Sequence, residues 1–372
     1  MVILTACEAG SPMENTPEAT AEARPASLEI WYADPSLAPA LEATLADFER
    51  AQPHITLSLM LQEAQTFRQM IRDSLDGGAG PDMILGDATL MANLAASGHL
   101  TDLSEREVQM MELGPARAAY QTLWLDNRPY GLPFLLSVPL IYQNTSLTDR
   151  EIQDYDAFVA AAEAHGAQIP PSFWQTSPWL DVINQTQPIL QNGQVNTTVD
   201  GFAAYLERLL TLQQLDGVMF GTSYEPFING EVGLLVGGLA DYGTLQAALG
   251  DDLRFMDMRL AADNPGLVLA DVRLMMLSIN ATQASLDAGY LLMAYLMQQE
   301  QQRMLTQESG WLGYAAPSPV LQVVSPLGVP TLPEAHLGFY TRTLPQYETA
   351  LAQVLAGVRS PQEAAENALR ID

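Results

Sequence analysis

Two aspartates that follow predicted strands are the residues best placed to take part in chemistry. Asp34 follows the β-rich run Leu28–Ala33, and Asp87 comes soon after the run Asp82–Leu85. Ligands of open α/β sheets bind beyond the carboxyl ends of the strands, where a carboxylate can accept hydrogen bonds from a ligand. Each aspartate also precedes a helical segment and could be its N-cap. The sequence leaves a ligand contact and a capping role equally open for both.

Motifs of the common catalytic sites are missing from the sequence. It contains no H-E-x-x-H, no G-x-S-x-G and no Gly-rich phosphate loop, and its four histidines are scattered. The 44 carboxylates could supply the acid–base pair of a secreted hydrolase, but no spacing singles out such a pair. We therefore expect a protein that is not an enzyme, with no catalytic residue, cofactor or metal, and keep the hydrolase as the less favoured class.

The charge of the chain excludes one class of partner. The sequence has 44 acidic and 16 basic residues, a formal net charge of −28, and every basic residue is an arginine. Such a chain repels the phosphates of nucleic acids and the surfaces of anionic membranes. We expect no nucleic-acid partner, whereas a cationic ligand stays compatible with the charge.

The length and the residue pattern indicate which elements position these side chains. A chain of 372 residues exceeds the usual size of one hydrophobic core, so two folded lobes are expected. Strands that alternate with helices are typical of βαβ units and a parallel sheet. The predicted strands are Leu28–Ala33, Ile55–Leu61, Asp82–Leu85 and Leu135–Tyr142, and the predicted helices are Ala38–Ala51, Thr66–Leu75, Asp154–Ala164, Val199–Leu212 and Leu286–Gln302.

The single cysteine, Cys7, excludes an intrachain disulfide and is itself informative. It follows Leu4-Thr5-Ala6 and precedes a stretch to residue 27 that is rich in Ala, Glu, Pro, Ser and Thr. This context resembles the lipobox of bacterial lipoproteins, in which the cysteine thiol carries the lipid. Because few residues precede it, we interpret residues 1–27 as a truncated lipoprotein signal and flexible tether. The resemblance implies an extracytoplasmic protein, held by lipid alone in the periplasm or on the outer face of the cytoplasmic membrane.

Six short motifs occur in order along the rest of the chain. They are Leu28–Trp31, Gly80–Ile84, Ala95–Leu103, Tyr130–Phe134 with Leu140–Asn144, Phe227–Gly238 and Leu355–Ala364. In this order they resemble the motifs of the family 1 extracellular solute-binding proteins, the sugar-type receptors of ABC importers.

The resemblance implies an α/β protein with the two-lobe, type II periplasmic-binding-protein-like fold. Each lobe would be a mainly parallel sheet flanked by helices, and three hinge crossings, near Val138, Val268 and Pro317, would join the lobes. Lobe one would comprise residues 28–137 and 269–316, and lobe two residues 138–268 and 317–372. The ligand would lie in the cleft, and the lobes would close over it.

The resemblance also implies a set of cleft contacts. The candidates are Asp34, Asp87, Trp174, Trp179, Asp241, Tyr242, Asp271, Arg273 and Trp311. Aromatic rings cover the apolar face of a sugar, while carboxylates and the arginine fork bind its hydroxyls. Other roles stay open, because each tryptophan could instead pack in the interior and Arg273 could simply pair with Asp271. Where many relatives have a tryptophan after the glycine pair, this chain has Tyr242, which could replace it as the stacking ring.

The function implied is that of a substrate-binding receptor, a monomer that delivers a carbohydrate to the transmembrane subunits of an ABC permease. A receptor for a polyamine or another cation is the alternative, because Asp34, Asp87, Asp241 and Asp271 could surround an amine between aromatic walls.

Overall fold

The computed structural model describes residues 25–104, 124–125, 128–180, 190–191, 194–195, 197–258, 271–309, 311–313 and 342–370. Cys7 and the expected crossings near Val268 and Pro317 lie outside these residues. Within them, no helix combines the length and the apolar character needed to cross a membrane.

Strands and helices alternate along most of the described chain. The strands are β1 (Ala26–Tyr32), β2 (Ile55–Leu61), β3 (Met83–Gly86), β4 (Leu132–Ser137), β5 (Pro139–Asn144), β6 (Ala167–Ile169), β7 (Leu190–Gln191), β8 (Gln194–Val195), β9 (Val218–Phe220), β10 (Leu234–Gly238), β11 (Leu253–Asp257), β12 (Asp271–Leu277) and β13 (Leu312–Gly313). The helices are α1 (Ala38–Ala51), α2 (Phe67–Asp76), α3 (Ala88–Ala96), α4 (Tyr155–His165), α5 (Phe173–Thr176), α6 (Val199–Gln213), α7 (Glu225–Ile228), α8 (Tyr242–Leu249), α9 (Gln283–Leu296), α10 (Gln299–Ser309), α11 (Leu344–Leu355) and α12 (Pro361–Ala368).

Two sheets carry the architecture. The first has the strand order β13-β4-β12-β3-β1-β2, and the second the order β11-β5-β10-β6-β9. Both are mixed, with parallel pairs at β2-β1-β3 and at β10-β6-β9, and antiparallel pairs at β3-β12-β4 and at β10-β5-β11. Because the parallel strands β1 and β3 end at the same edge, the loops that carry Asp34 and Asp87 meet there.

The chain passes from the first sheet to the second at Val138. Strand β4 ends at Ser137 in the first sheet, and β5 begins at Pro139 in the second. The predicted single strand Leu135–Tyr142 is therefore wrong, because an unbroken apolar run does not reveal a change of sheet.

One predicted helix is also divided. The run Leu286–Gln302 forms α9 and α10, which are separated at Met297 and Gln298. The side-chain amide of Gln302 donates to the carbonyl of Leu296 (2.8 Å), which supplies a partner that the interrupted helix no longer provides.

Helices cover the sheets and bring distant parts of the chain together. Helices α1 and α9 pack beside β1 and β2 of the first sheet, whereas α6, α11 and α12 pack on one another beside the second. The C-terminal helices α11 and α12 thus join the side of the molecule that begins at β5. Helix α11 forms part of one wall of a cavity between the two sheets.

Candidate functional site

A cavity of about 490 Å³ lies between the two sheets and takes its walls from both sides. The side of the first sheet contributes Arg68, Asp87, Ala88, Thr89, Asp271 and Val272, and the side of the second sheet contributes Trp174, Leu344, Pro345 and Glu348. Its volume falls within the range of about 300–1,000 Å³ that is usual for small-molecule sites. A ligand in this cavity would contact both halves of the protein.

A second cavity, of about 360 Å³, adjoins the first on the side of the first sheet. The loops after β1 and β3 supply part of its wall, including Asp34 and Asp87, and Arg273 of β12 supplies another part. Arg68 and Asp87 line both cavities and lie where the two meet. The structure therefore brings Asp34 and Asp87 together, as the strand ends indicated, and adds Arg273 to them.

Arg273 holds two of the candidate aspartates. Its guanidinium donates from Nη1 to Asp271 Oδ1 (2.6 Å) and from Nη2 to Asp34 Oδ2 (3.2 Å). The same guanidinium lies over the ring of Trp311, 4.3 Å from the ring centroid. The ion-pair role that the sequence left open for Arg273 is thus present in the structure.

Trp311 is almost completely buried, at 3% exposure. One face of its ring is covered by Arg273, and its indole N–H donates to Ser36 Oγ (3.3 Å). Trp311 thus contacts the charged network through Arg273 but lines neither of the two cavities.

Burial and charge oppose each other within this network. Burial raises the pKa of Asp271, the Arg273 guanidinium lowers it, and Asp87 and Asp34 add to the rise. Burial lowers the pKa of Arg273, but Asp271, Asp34 and Asp87 together raise that pKa above its ordinary value. Arg273 therefore stays charged between the two aspartates that it contacts.

Asp34 and Asp87 both act as caps and still border the cavities. Asp34 Oδ1 accepts from the backbone N–H and the hydroxyl of Ser36 (3.0 and 2.6 Å). Asp87 Oδ1 accepts from Leu90 N–H (2.7 Å), and its Oδ2 accepts from Arg68 Nη2 (2.7 Å). Each aspartate thus makes the capping bond that the sequence offered and also borders a cavity.

Arg68 is a cavity residue that the sequence reasoning missed. It lies in the first turn of α2 and lines both cavities. Its position soon after the end of β2, which is parallel to β1, was an available signal because the strand ends share one edge.

Trp174 and Trp179, predicted together, occupy different environments. Trp174 is half-buried on α5 and lines the larger cavity. Trp179 is fully buried, with its ring 5.4 Å from that of Tyr155 and 4.9 Å from that of Phe158. Trp179 packs in the core, one of the roles the sequence left open, and we leave it out of the proposed site.

Glu348, in the first turns of α11, is another cavity residue that the sequence reasoning missed. Its carboxylate accepts from Phe173 N–H (2.7 Å), Trp174 N–H (3.0 Å) and Ser172 Oγ (3.1 Å). These partners are more than 170 positions away along the chain, so no local pattern could indicate the contact.

Asp241 and Tyr242 follow β10 but line neither cavity. Asp241 Oδ2 accepts from Gly238 N–H (2.7 Å), and a Cβ at Gly237 would lie 2.8 Å from the same oxygen, so this approach requires glycine. Burial raises the pKa of Asp241, the bond from Gly238 opposes the rise, and Asp34 adds to it. Tyr242 is half-buried and packs edge-on against Phe255, with the ring centroids 5.3 Å apart.

The described residues include no group of three His, Cys, Asp or Glu side chains placed to hold a metal ion.

Comparison with protein families matches residues 43–327 to the model of the bacterial extracellular solute-binding proteins. A comparison with curated proteins finds no match.

Solved structures share the fold at low sequence identity. The maltose/maltodextrin-binding domain MalE from Bdellovibrio bacteriovorus, bound to maltotriose, is 16% identical with a TM-score of 0.76, over 92% of this chain and 97% of that chain. Maltose-bound MalE3 of T. maritima is 13% identical with a TM-score of 0.78, over 92% and 98%. The GacH receptor of Streptomyces glaucescens, solved unliganded and with acarbose, is 15% identical with a TM-score of 0.75, over 92% and 96%. The predicted α/β, two-lobe fold is confirmed. The expectation of mainly parallel sheets is wrong, because antiparallel pairs make up at least half of the described strand pairs in each sheet.

Proposed function

The chain belongs to the bacterial extracellular solute-binding protein family, and we propose on that premise that it is the receptor of an ABC importer and captures a carbohydrate between its lobes. The observation that carries the proposal is the cavity between the two sheets, in which Trp174 lies on one side and Arg68, Asp87 and Asp271 lie on the other. An aromatic wall with carboxylates and a guanidinium suits a ligand that has apolar ring faces and paired hydroxyls.

The lobes that we propose follow the sheets. Residues 28–137 and 269–316 would form lobe one, and residues 138–268 and 317–372 lobe two, with the passage at Val138 as one hinge strand. A ligand that contacts both lobes binds the closed form more tightly than the open form and shifts the population towards it. The closed form would then dock on the transmembrane subunits of the permease as a monomer.

The charges of the cavity favour binding over catalysis. Asp87 is paired with Arg68, Asp34 and Asp271 are paired with Arg273, and Glu348 is bonded to backbone N–H groups. A general acid or base needs a carboxyl that is free to exchange its proton with the substrate. We therefore propose that the protein does not hydrolyse the sugar it holds.

Relatives of the same fold support a carbohydrate ligand. Their bound molecules include maltotriose, maltose, acarbose and, in a protein of Listeria monocytogenes, cycloalternan. A cationic ligand is less favoured, because two arginines already neutralise part of the carboxylate charge of the cavities.

The family is extracytoplasmic. We propose further that Cys7 carries a lipid that tethers the receptor to the membrane. Metabolic labelling with a fatty-acid analogue should mark the wild-type protein and not the Cys7→Ala variant. Equal labelling of the two would remove the anchor from the proposal.

A thermal-shift screen tests the ligand class. Maltose, maltotriose, monosaccharides, spermidine and putrescine are added separately to the purified protein without residues 1–24. A ligand at 100 times its Kd stabilises the native state by about 2.7 kcal/mol, which raises the Tm by several degrees. We expect this response to at least one sugar and not to the amines, followed by a Kd from calorimetry and no sugar turnover. A response to the amines alone would favour the cation receptor.

A further inference from the structure

The short helix α5, which presents Trp174 to the larger cavity, does not have the usual cap at its N-terminus. The first N–H groups of a helix have no partner inside it, and an N-cap side chain normally accepts from one of them. Ser172 occupies the N-cap position of α5 but makes no such bond. Its hydroxyl donates instead to the carboxylate of Glu348.

Glu348 takes over the role of the cap from another part of the chain. Its Oε2 accepts from Phe173 N–H (2.7 Å) and its Oε1 from Trp174 N–H (3.0 Å). An ionised carboxylate that accepts from backbone N–H groups forms strong, charge-assisted hydrogen bonds. The backbone of the residue that carries the indole is therefore fixed directly by α11.

The same part of α11 also lines the cavity. Leu344, Pro345 and Glu348 contribute to its wall together with Trp174. Leu344 and Glu348 are four positions apart, so they lie on one face of the helix. Helix α11 thus fixes the indole and also forms part of the wall against which a ligand would rest.

Helix α5 has a second attachment that does not depend on Glu348. The ring of Phe173 packs edge-on against Tyr347, with the centroids 4.9 Å apart, and Thr176 shares a hydrogen bond with Tyr205 (2.6 Å). Loss of the Glu348 carboxylate would therefore release the N-terminal N–H groups of α5 while the helix stays packed through Phe173 and Thr176.

On these contacts we propose that Glu348 is a positioning residue, which acts through Trp174 to hold the indole where it covers the ligand. The inference rests on the proposed function, because it takes Trp174 as a ligand-binding ring. It adds Glu348 of α11 as a residue that determines affinity through the position of the indole.

The test uses Glu348→Gln with maltotriose as the probe. The glutamine keeps the length of the side chain but cannot accept from both N–H groups and the serine hydroxyl as the carboxylate does. We expect its Kd to rise about tenfold, equivalent to about 1.4 kcal/mol, with the Tm of the unliganded protein within a few degrees of wild type. Glu366→Gln is the matched control, because Glu366 is exposed on α12 and bonded to Gln362. It should leave the Kd unchanged.

A double-mutant cycle separates positioning from direct contact. In a Trp174→Ala background, Glu348→Gln should change the Kd less than twofold. A further tenfold loss in that background would mean that Glu348 acts independently of the indole and would overturn the inference. If the wild type and the variants fold normally but the wild type binds no sugar, the proposed function is contradicted. That outcome differs from one in which the wild type binds sugar and Glu348→Gln binds it equally well.

A measurement without ligand covers the case in which Trp174→Ala abolishes binding. In protein labelled with 5-fluorotryptophan, the resonance of Trp174 is identified by its loss in Trp174→Phe. Glu348→Gln should shift or broaden this resonance and leave the other four tryptophan resonances in place. No change at Trp174 would overturn the inference.

Discussion

The guanidinium of Arg273 lies over the ring of Trp311, 4.3 Å from its centroid, while the same group bonds to Asp271 and Asp34. A cation over an indole gains about 0.5–2 kcal/mol, more where water is excluded. Three parts of the chain, the loop after β1, strand β12 and the residue before β13, are thus held by one side chain beside the cavity.

Replacement of Arg273 by glutamine should destabilise the protein through the aspartates that remain. The arginine and both carboxylates are less than 30% exposed, and removal of one partner of a buried ion pair leaves uncompensated charge. We expect the free energy of unfolding to fall by about 3 kcal/mol at pH 7, the lower end of the range for a broken buried pair, because the three groups keep some contact with solvent. Chemical denaturation measures it, with Arg254→Gln on the exposed face of β11 as the control.

The same variant should show a pH signature. Burial already raises the pKa of Asp271, and Arg273 lowers it, so loss of the arginine raises it further. A carboxyl with a raised pKa takes up a proton as the pH falls, and its unpaired charge disappears. The difference in the free energy of unfolding between wild type and Arg273→Gln should therefore shrink as the pH falls towards 4. A deficit that is constant with pH would mean that lost packing on Trp311, not charge, causes it.

Asp241→Asn should stabilise the protein at neutral pH. Burial raises the pKa of Asp241 above 3.8, so the folded state binds this proton more tightly than the unfolded state. The free energy of unfolding falls as the pH rises from 3.8 through the folded-state pKa. Above that pKa the full cost of burying the charged carboxylate is present. The asparagine oxygen can still accept from Gly238 N–H, so the variant loses the penalty and keeps the bond.

Denaturation of Asp241→Asn and wild type across pH 3–7 tests this relation. The advantage of the variant should be largest at pH 7 and vanish near pH 3, where the aspartic acid is itself neutral. Asp251→Asn is the control, because it removes the same charge from an exposed position. A variant less stable than wild type at pH 7 would assign the negative charge a stabilising role.

The two tryptophans of the aromatic segment should separate binding from stability. Trp179→Ala removes a fully buried ring that packs on Tyr155 and Phe158, and large-to-small changes of this kind cost about 3–5 kcal/mol. Trp174→Ala removes a half-buried ring in the cavity wall. We expect it to weaken maltotriose binding at least tenfold with a smaller loss of stability. Calorimetry gives the Kd and denaturation the free energy of unfolding of both variants. A loss of binding in Trp179→Ala alone would mean that Trp179, and not Trp174, contacts the ligand.

What the sequence predicts well is local. Strand and helix alternation placed Asp34 and Asp87 at one sheet edge, because each signal lies within a few residues of the side chain it positions. The bond between Glu348 and Trp174 joins residues 174 positions apart. Phe173 packs against Tyr347 beside this bond, and such packing is decided by the whole fold. The apolar pattern also merged β4 and β5 into one predicted strand, since both sheets bury the same kind of residue. The crossing near Val138 was expected from the family resemblance and not from this local pattern.

Arg68 should determine how the site responds to ligand length. It lies where the two cavities meet, and its bond to Asp87 is largely exposed, with 56% and 33% of the two side chains accessible. An exposed pair of this kind is worth about 0–1 kcal/mol, so a ligand can open it at little cost. A sugar that extends through both cavities would contact the guanidinium, whereas one confined to the larger cavity would depend on it less.

We therefore expect Arg68→Ala to leave the free energy of unfolding within about 1 kcal/mol of wild type and to weaken maltotriose binding at least threefold more than maltose binding. Arg72→Ala is the matched control, because Arg72 is exposed on the same helix and lines neither cavity. Arg68→Lys should restore part of the loss, since it keeps the charge but not the fork of donors. Calorimetric Kd values for both sugars give the ratio directly. An equal effect on the two would mean that Arg68 acts on the charge of the cavity as a whole and not at the boundary between its parts.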